Sequence, residues 1–321
     1  MVEKKIFMNK LTIVIPAFNE QEVLKTTLVT LLQIEDDLIS ESKIAEDSNI
    51  LVVDDGSKDN TWEILRELNS ENYRFTGIKF SRNFGHQDAL VAGMSEAIET
   101  SDMIVTIDAD LQDNPNVIKI MVDRFNEGNE VVYGVRNNRE QDTWFKRTTA
   151  QGYYRILNIL GVKVVPNHAD FRLMSKRAVE TLLEYKERNL FLRGIIPMLG
   201  YKSVKVYYKR TPRLAGESKY PLKKMLAFAW DGITSLTIAP VRAILILGIL
   251  FSLFGMIAFV YSVIVKLIGK ANEGWSSLMI SIWIIGGFQM ISLGVIGEYI
   301  GKVTTEVKHR PRYTIEERIG K

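Results

Sequence analysis

Residues 50–59 read ILVVDDGSKD, and residues 103–113 read MIVTIDADLQD. Each is a short apolar run, rich in β-branched residues, that stops abruptly at carboxylates. Runs of this length bounded by turn residues read as strands buried on both faces. Working outward, residues 11–18, 76–81 and 130–135 repeat the pattern, while 22–33, 59–68, 86–98 and 116–125 carry apolar residues at helical spacing. Strand and helix alternate, which predicts an α/β domain with a doubly wound, mostly parallel sheet. Ligands of such a sheet sit beyond the carboxyl ends of its strands.

Functional residues are therefore expected where the apolar runs stop. The first ends in Pro16-Ala17-Phe18-Asn19-Glu20, the second in Asp54-Asp55-Gly56-Ser57-Lys58-Asp59, and the fourth in Asp108-Ala109-Asp110-Leu111-Gln112-Asp113. Asp59, just ahead of Thr61-Trp62-Glu63, is expected to cap a helix. Three acidic strand ends on one sheet edge repel one another unless a cation neutralises them. In an extended segment residues i and i+2 face the same way. Asp108 and Asp110 are thus expected to hold one hard divalent ion, Mg²⁺ or Mn²⁺, with the amide oxygen of Gln112 next in line. Such an ion keeps positions open for phosphate oxygens. The chain of 321 residues has no Cys and three scattered His, which excludes disulfide frameworks and thiolate-held zinc or iron–sulfur sites. Its net charge of +3 is spread evenly, which argues against nucleic acid as a partner. A dehydrogenase is disfavoured because Gly-x-Gly-x-x-Gly is missing after the first strand.

Charge is almost absent from one region: between Ala243 and Gly297 only Lys266, Lys270 and Glu273 are charged. Residues 243–265 and 274–297 are uncharged runs of 23 and 24 residues. As helices they cover about 35 Å, enough for a hydrocarbon core of ~30 Å. The short connector makes them an antiparallel hairpin. Lys219, Lys223, Lys224 and Arg242 precede it, and Lys302, Lys308, Arg310 and Arg312 follow it. The positive-inside rule then places both termini in the cytoplasm. Met1 to Lys10 is charged and the next apolar run is short, so no cleavable signal peptide is expected. Residues 221–239 read as a helix in the membrane interface, or as the first turns of a tilted span. The expected organisation is a domain over 1–220, an interfacial helix over 221–239, two spans within 240–300 and a basic tail over 301–321.

The residues quoted above, with Val52-Val53-Asp54-Asp55-Gly56-Ser57, Ser81-Arg82-Asn83-Phe84-Gly85-His86-Gln87, Asp170-Phe171-Arg172-Leu173 and the terminal pair of spans, resemble inverting family-2 glycosyltransferases of GT-A fold. The resemblance covers nearly the whole chain. It is strongest to the polyprenyl-phosphate type, which includes dolichol-phosphate mannose synthase and bacterial undecaprenyl-phosphate glucosyltransferases. By that resemblance Pro16, Ala17, Glu20, Asp55 and Asp108 hold the nucleoside diphosphate of a sugar donor. Asp108, Asp110 and Gln112 hold the metal, and Asp110 and Asp170 are the catalytic pair. The donor implied is UDP-glucose, with UDP-N-acetylglucosamine, UDP-galactose and GDP-mannose as alternatives. The acceptor implied is undecaprenyl phosphate, the location a bacterial cytoplasmic membrane, and the assembly a homo-oligomer.

A lipid-phosphate acceptor calls for cations near the membrane. Arg172, Arg210, Arg213 and Lys219 are the candidates, because arginine pairs bidentately with phosphate. Residues 202–224 hold eight basic side chains against Glu217 alone, and attraction to anionic headgroups is an equal reading of that stretch. Residues 213–220 look like the family's mobile loop. A phosphate monoester, with a second pKa of ~6, is mostly dianionic at neutral pH and attacks unaided. Asp170 is therefore read as orienting Arg172 or the sugar, and Asp170→Asn is expected to keep substantial activity where Asp110→Ala loses nearly all. His86 keeps two readings, a donor contact or a polar residue at a helix start. Arg139, Lys146 and Arg147 read as solvated charge, and the stripe from Tyr153 to Leu160 as packing. A processive polysaccharide synthase is disfavoured by having two spans and no Gln-x-x-Arg-Trp, and a noncatalytic nucleotide-sugar-binding protein by the intact acidic set.

Overall fold

The computed structural model describes residues 8–137, 168–188, 191–209, 234, 237–268 and 274–320. The chain divides into two units, one of Met1–Lys224 with Pro311–Lys321 and one of Met225–Arg310.

The first unit is a layered α/β structure. Its strands are β1 (Leu11–Ala17), β2 (Asn49–Asp54), β3 (Phe75–Phe80), β4 (Met103–Thr106), β5 (Val131–Arg136), β6 (His168–Ser175), β7 (Ser203–Tyr208) and β8 (Ile315–Ile319). The helices are α1 (Leu24–Ser40), α2 (Thr61–Glu71), α3 (His86–Ala97), α4 (Val117–Asn126), α5 (Lys176–Leu183) and α6 (Leu192–Met198). The eight strands form one sheet in the order β7-β5-β6-β4-β1-β2-β3-β8. Strands β3, β2, β1 and β4 run parallel, as the alternation predicted. β1 is buried along its whole length, which is why it reads as a continuous apolar run rather than an alternating one.

Two strands break the parallel pattern. β6 lies antiparallel to both β4 and β5. Its early residues therefore arrive at the edge where β1, β2 and β4 end. Thr106, the last residue of β4, pairs with Arg172, and its hydroxyl donates to the carbonyl of Asp170 at 2.6 Å. β8 pairs antiparallel with β3. This corrects the basic tail expected over 301–321. Two apolar residues in Ile315–Ile319 are too weak a pattern to announce a strand, and it exists because β3 offers an open edge.

Helix α1 runs to Ser40, seven residues beyond the expected end. Leu28, Leu31, Ile34 and Leu38 keep facing the core through the acidic stretch, each burial stabilising by about 1.5–3 kcal/mol. The same face carries Glu35, fully buried, with both carboxylate oxygens lacking a hydrogen-bond partner and Arg74 at 3.7 Å. Burial pushes its pKa from an ordinary 4.5 up to about 8, against the pull of Arg74. Below about pH 4.5 the group is neutral folded and unfolded and costs nothing. As pH rises towards 8 only the unfolded chain ionises, so stability falls across that window and levels off above it. Glu35→Gln is expected to raise Tm by several degrees at about pH 9 and to leave it unchanged near pH 4.5, read by thermal melts across pH.

Helix α3 packs on β1 and β2 through Gly93, where a Cβ would lie 2.2 Å from Val14 Cγ1 and 2.9 Å from Val53 Cγ2. The missing side chain sets how closely α3, and His86 at its start, approaches the sheet.

The second unit contains α7 (Ala239–Leu267) and α8 (Trp275–Val307). Phe251 and Phe288 meet at 5.1 Å, and Tyr299 Oη donates to the carbonyl of Thr237 at 2.7 Å. The start of one helix thus meets the end of the other, and the pair is antiparallel. Leu245, Phe254, Ile257, Met290, Ile291 and Leu293 are all exposed, and Pro240–Ile257 and Ile284–Val307 are candidate membrane spans. Apolar surface of this extent marks contact with lipid or partner protein. α8 passes ten residues beyond the expected span end, carrying Glu298 and Lys302 within the helix.

Candidate functional site

The turns after β1 and β2 are stitched together. Asp55 N–H donates to Ala17 O at 2.8 Å, Asn19 N–H to Ser57 Oγ at 2.9 Å, and Lys58 N–H to Asn19 Oδ1 at 2.9 Å. Asn19 adopts φ 55°, the left-handed region that asparagine tolerates. Asp59 accepts from Thr61 N–H at 3.1 Å and Thr61 Oγ1 at 2.6 Å, but it lies one residue ahead of the N-cap of α2, which is Asn60 and makes no side-chain capping bond. Gly56 has φ 68°, and a Cβ there would stand 2.4 Å from the carbonyl carbon of Arg82. Only glycine lets this turn and residues 82–83 meet.

That meeting places Asp55. Its buried carboxylate accepts from Phe84 N–H at 2.6 Å and Gly85 N–H at 2.9 Å. It thereby holds the segment leading into α3. Pro16 and Ala17 pair with Val53 and Asp54 at the carboxyl ends of β1 and β2, and Glu20 follows in the turn.

The premise for Asp108 and Asp110 differs from the structure. β4 stops at Thr106, and the two aspartates lie beyond it in a turn that reverses at Leu111, φ 52°. What sets them is anchoring rather than strand alternation. Thr27 Oγ1 of α1 donates to Ala109 O at 2.6 Å, and Gln112 N–H donates to Asp110 Oδ1 at 3.1 Å. Asp113 accepts from Arg136 Nε at 2.8 Å, Arg136 Nη2 at 2.9 Å and Tyr208 Oη at 2.6 Å. The turn is thus tied to α1, β5 and β7.

Asp108 Oδ1 is buried without a hydrogen-bond partner although the side chain is 34% exposed. Burial raises the Asp108 pKa, and Asp170, Asp113 and Asp110 add to the rise against His86. A carboxylate oxygen so placed fits a cation. Among the described residues no three His, Asp or Glu side chains could enclose a metal by themselves. Two carboxylates and an amide oxygen nonetheless suit Mg²⁺ or Mn²⁺, which takes its remaining ligands from water and phosphate.

Facing this acidic turn is a cationic cluster around Asp170. Asp170 Oδ1 pairs with Arg172 Nη2; Arg193 Nε approaches Oδ1 at 3.3 Å and Nη2 approaches Oδ2 at 2.9 Å. His86 Nε2 lies 3.5 Å from Asp170 Oδ2 and 3.6 Å from Asp108 Oδ1. Burial alone would raise the Asp170 pKa, but Arg193, His86 and Arg172 hold it well below the usual carboxylate range. Desolvation lowers the His86 pKa, yet the hydrogen bond to Asp170 and the charges of Asp108 and Asp170 leave it raised.

Arg172 was expected on the acceptor phosphate. It is 1% exposed on β6 and pairs with Asp170, so its guanidinium is buried against that carboxylate and withheld from solvent. The partly exposed cations are Arg193, 31% exposed, and His86, 44% exposed. His86 is the first residue of α3, as one of its two readings expected, and it also lies beside Asp108 and Asp170. Arg193 went unread because Phe191-Leu192-Arg193-Gly194 carries no local signal, and α6 reaches Asp170 only through the fold. Arg139, Lys146, Arg147, the stripe from Tyr153 to Leu160, Asn167, Arg210, Arg213, Lys219 and nearly all of 221–239 lie outside the described residues.

Residues 12–183 match the family described as glycosyl transferase family 2. An uncharacterized glycosyltransferase of Bacillus subtilis, YkoT, is 53% identical over 306 residues, 95% of this chain and 91% of that protein. A prophage bactoprenol glucosyl transferase homolog of Escherichia coli is 38% identical, over 96% of this chain and 98% of its own length. The bactoprenol glucosyl transferase of Shigella phage SfX is 36% identical, over 96% and 99%.

Proposed function

The chain belongs to glycosyl transferase family 2, and from that premise we propose that it transfers one sugar, glucose from UDP-glucose, to the phosphate of a polyprenyl phosphate. Similarity to bactoprenol glucosyl transferases spans both the α/β unit and the apolar helices. The observation that carries the reading is the division of the crevice: an acidic turn whose Asp108 Oδ1 accepts no hydrogen bond among the described residues and has His86 Nε2 nearby at 3.6 Å, facing the cluster of Arg172, Arg193 and His86 around Asp170. The acidic half suits a cation and the donor diphosphate, and the cationic half suits the acceptor phosphate.

In this reading Asp108, Asp110 and Gln112 hold Mg²⁺ or Mn²⁺, which when bound offsets charge on the departing diphosphate. Pro16, Ala17 and Glu20 line the nucleoside side. Asp55 shapes that side by holding residues 84–85, and its carboxylate is committed to their amides. A phosphate oxygen of the acceptor attacks the anomeric carbon, the bond to the nucleoside diphosphate breaks, and an α-linked donor gives a β-linked product. No proton needs removal, because the attacking phosphate monoester is already largely dianionic. Asp170, its pKa held low by Arg193, the His86 hydrogen bond and Arg172, is a poor base. It aims Arg193, and Arg193 and His86 present positive charge to the acceptor. Arg210, Arg213 and Lys219 extend that charge in sequence.

We place the enzyme in the bacterial cytoplasmic membrane with both termini cytoplasmic. The chain leaves the α/β unit at Lys224 and rejoins it at Pro311, which supports an even number of crossings between them. The test is a donor screen on protein in detergent with undecaprenyl phosphate and Mn²⁺ or Mg²⁺. UDP-glucose, UDP-N-acetylglucosamine, UDP-galactose and GDP-mannose are supplied separately and the glycolipid is read by mass spectrometry. A product of lipid phosphate plus one hexose from UDP-glucose is expected; a different single donor overturns the sugar, and no product with nucleotide binding intact overturns the acceptor.

A further inference from the structure

We propose that residues 311–314, the segment leading into β8, are a positioning element of the active site, with Arg312 and Tyr313 as its working residues. The inference rests on the sugar-transfer reading of the crevice above.

Two separate elements reach Asp170: α3 through His86, and α6 through Arg193. Neither is fixed at this point by the sheet ladder. Their starts touch through Gln87 Oε1, which accepts from Leu192 N–H at 3.2 Å. The segment 311–314 ties together the chain leading into each. On the α3 side, Ser81 N–H donates to Thr314 O at 3.0 Å. The Tyr313 ring stacks on Phe80 at 4.9 Å and 13°, and Phe80 meets Phe84 edge-on at 5.6 Å. Phe84 in turn donates its amide to Asp55. On the α6 side, Arg312 Nη2 donates to Tyr185 O at 3.3 Å and to the Glu187 carbonyl, while Arg188 Nη1 donates to Pro311 O at 2.6 Å.

The contacts close a ring. From Asp170 it passes through His86 to residues 81–85, through Tyr313 and Arg312 to 185–188, and through Arg193 back to Asp170. The far end of the segment is anchored independently, by Glu317 on Trp62 Nε1 at 2.9 Å and Arg66 Nη2 at 2.7 Å. Those contacts belong to α2 and no part of them reaches the crevice cluster. Residues 308–310 alone separate Pro311 from the end of α8, so the brace is continuous in sequence with a candidate membrane helix. Small displacement of a charge aimed at a reacting phosphate is costly, since ~1 Å lowers rates by as much as 10²-fold.

The experiment compares Arg312→Ala, Tyr313→Ala, Tyr313→Phe and Glu317→Ala in the full chain in detergent, at a temperature well below each variant's Tm. Arg312→Ala is expected to lower kcat on the order of 10-fold with the Kd for UDP within about twofold, and Tyr313→Ala to lower kcat to the same order while also weakening UDP binding through Phe84 and Asp55. Tyr313→Phe loses the hydroxyl's hydrogen bond to Ser95 near the far end of α3 but keeps the stacking, and keeps kcat. Glu317→Ala lowers Tm while leaving kcat unchanged. Hydrogen exchange is read on the same proteins: Arg312→Ala speeds exchange in 81–92 and 188–198 together, whereas Glu317→Ala speeds it only in 75–80 and 315–319. Unchanged kcat in both alanine variants overturns the proposal, as does an equal loss in Glu317→Ala. Wild-type protein making no glycolipid overturns the transfer reading instead, and the brace then stands or falls on whether the two exchange regions respond together.

Discussion

Asp170→Asn is expected to lose stability first and turnover as a consequence. Arg172 is 1% exposed and its Nη2 sits on Asp170 Oδ1. Removing one partner of a buried pair leaves the other charge uncompensated, at a cost of about 3–5 kcal/mol. The amide also releases Arg193 and weakens the pull on His86. The fall in kcat, expected on the order of 10²-fold, therefore comes with a lower urea midpoint. A depressed carboxylate contributes stability above its unfolded pKa of ~3.9 and loses it as pH falls through the folded value. The gap between wild type and variant should persist at neutral pH and close only in acid. The burial of Arg172 thus replaces the milder outcome that the sequence implies. A base role predicts the opposite signature, lost kcat with unchanged melting. That result would return Asp170 to proton abstraction.

Asp108→Asn is expected to separate activity from stability. On the proposed metal role transfer should fall ~10³-fold or more, because a metal's stabilisation of leaving-group charge is worth several kcal/mol and Asp108 Oδ1 accepts no hydrogen bond from the protein. The metal-free variant should nevertheless melt above wild type at about pH 8, since burial and the charges of Asp170, Asp113 and Asp110 all disfavour the ionised carboxylate. A folded pKa raised in this way costs stability as pH rises, so the advantage should vanish in acid. Titrating Mn²⁺ during thermal melts provides the check: wild type gains Tm and the variant does not. A variant stabilised by Mn²⁺ as strongly as wild type would remove Asp108 from the metal site.

Much of the α/β unit was legible from residues alone because its signals are local. Runs such as 11–17 and 49–54 are apolar throughout, as strands covered on both faces must be, and each expected strand or helix of this series is present within a few residues. The longest miss, the end of α1, came from Glu35, a charge on a core-facing position. The acidic strand ends were legible for the same local reason, since a carboxylate that stops an apolar run marks a sheet edge. The companions of Asp170 were not. Arg193 and His86 lie 107 positions apart, and neither has a neighbour in sequence that announces it.

The sequence by itself determined the groups available: carboxylates where apolar runs stop, two apolar stretches long enough to span a membrane, and no thiol. Tertiary structure decided which groups meet. β6 enters antiparallel between β4 and β5 and carries Asp170 to the edge where β1, β2 and β4 end. Arg172 is turned inward, leaving Arg193 to face the crevice, and β8 closes the open edge of β3. Periodicity and turn chemistry act over a few residues and so can be read along the chain. Strand order and the pairing of buried charges depend on contacts between distant segments, whose free energies exist only once the chain is folded.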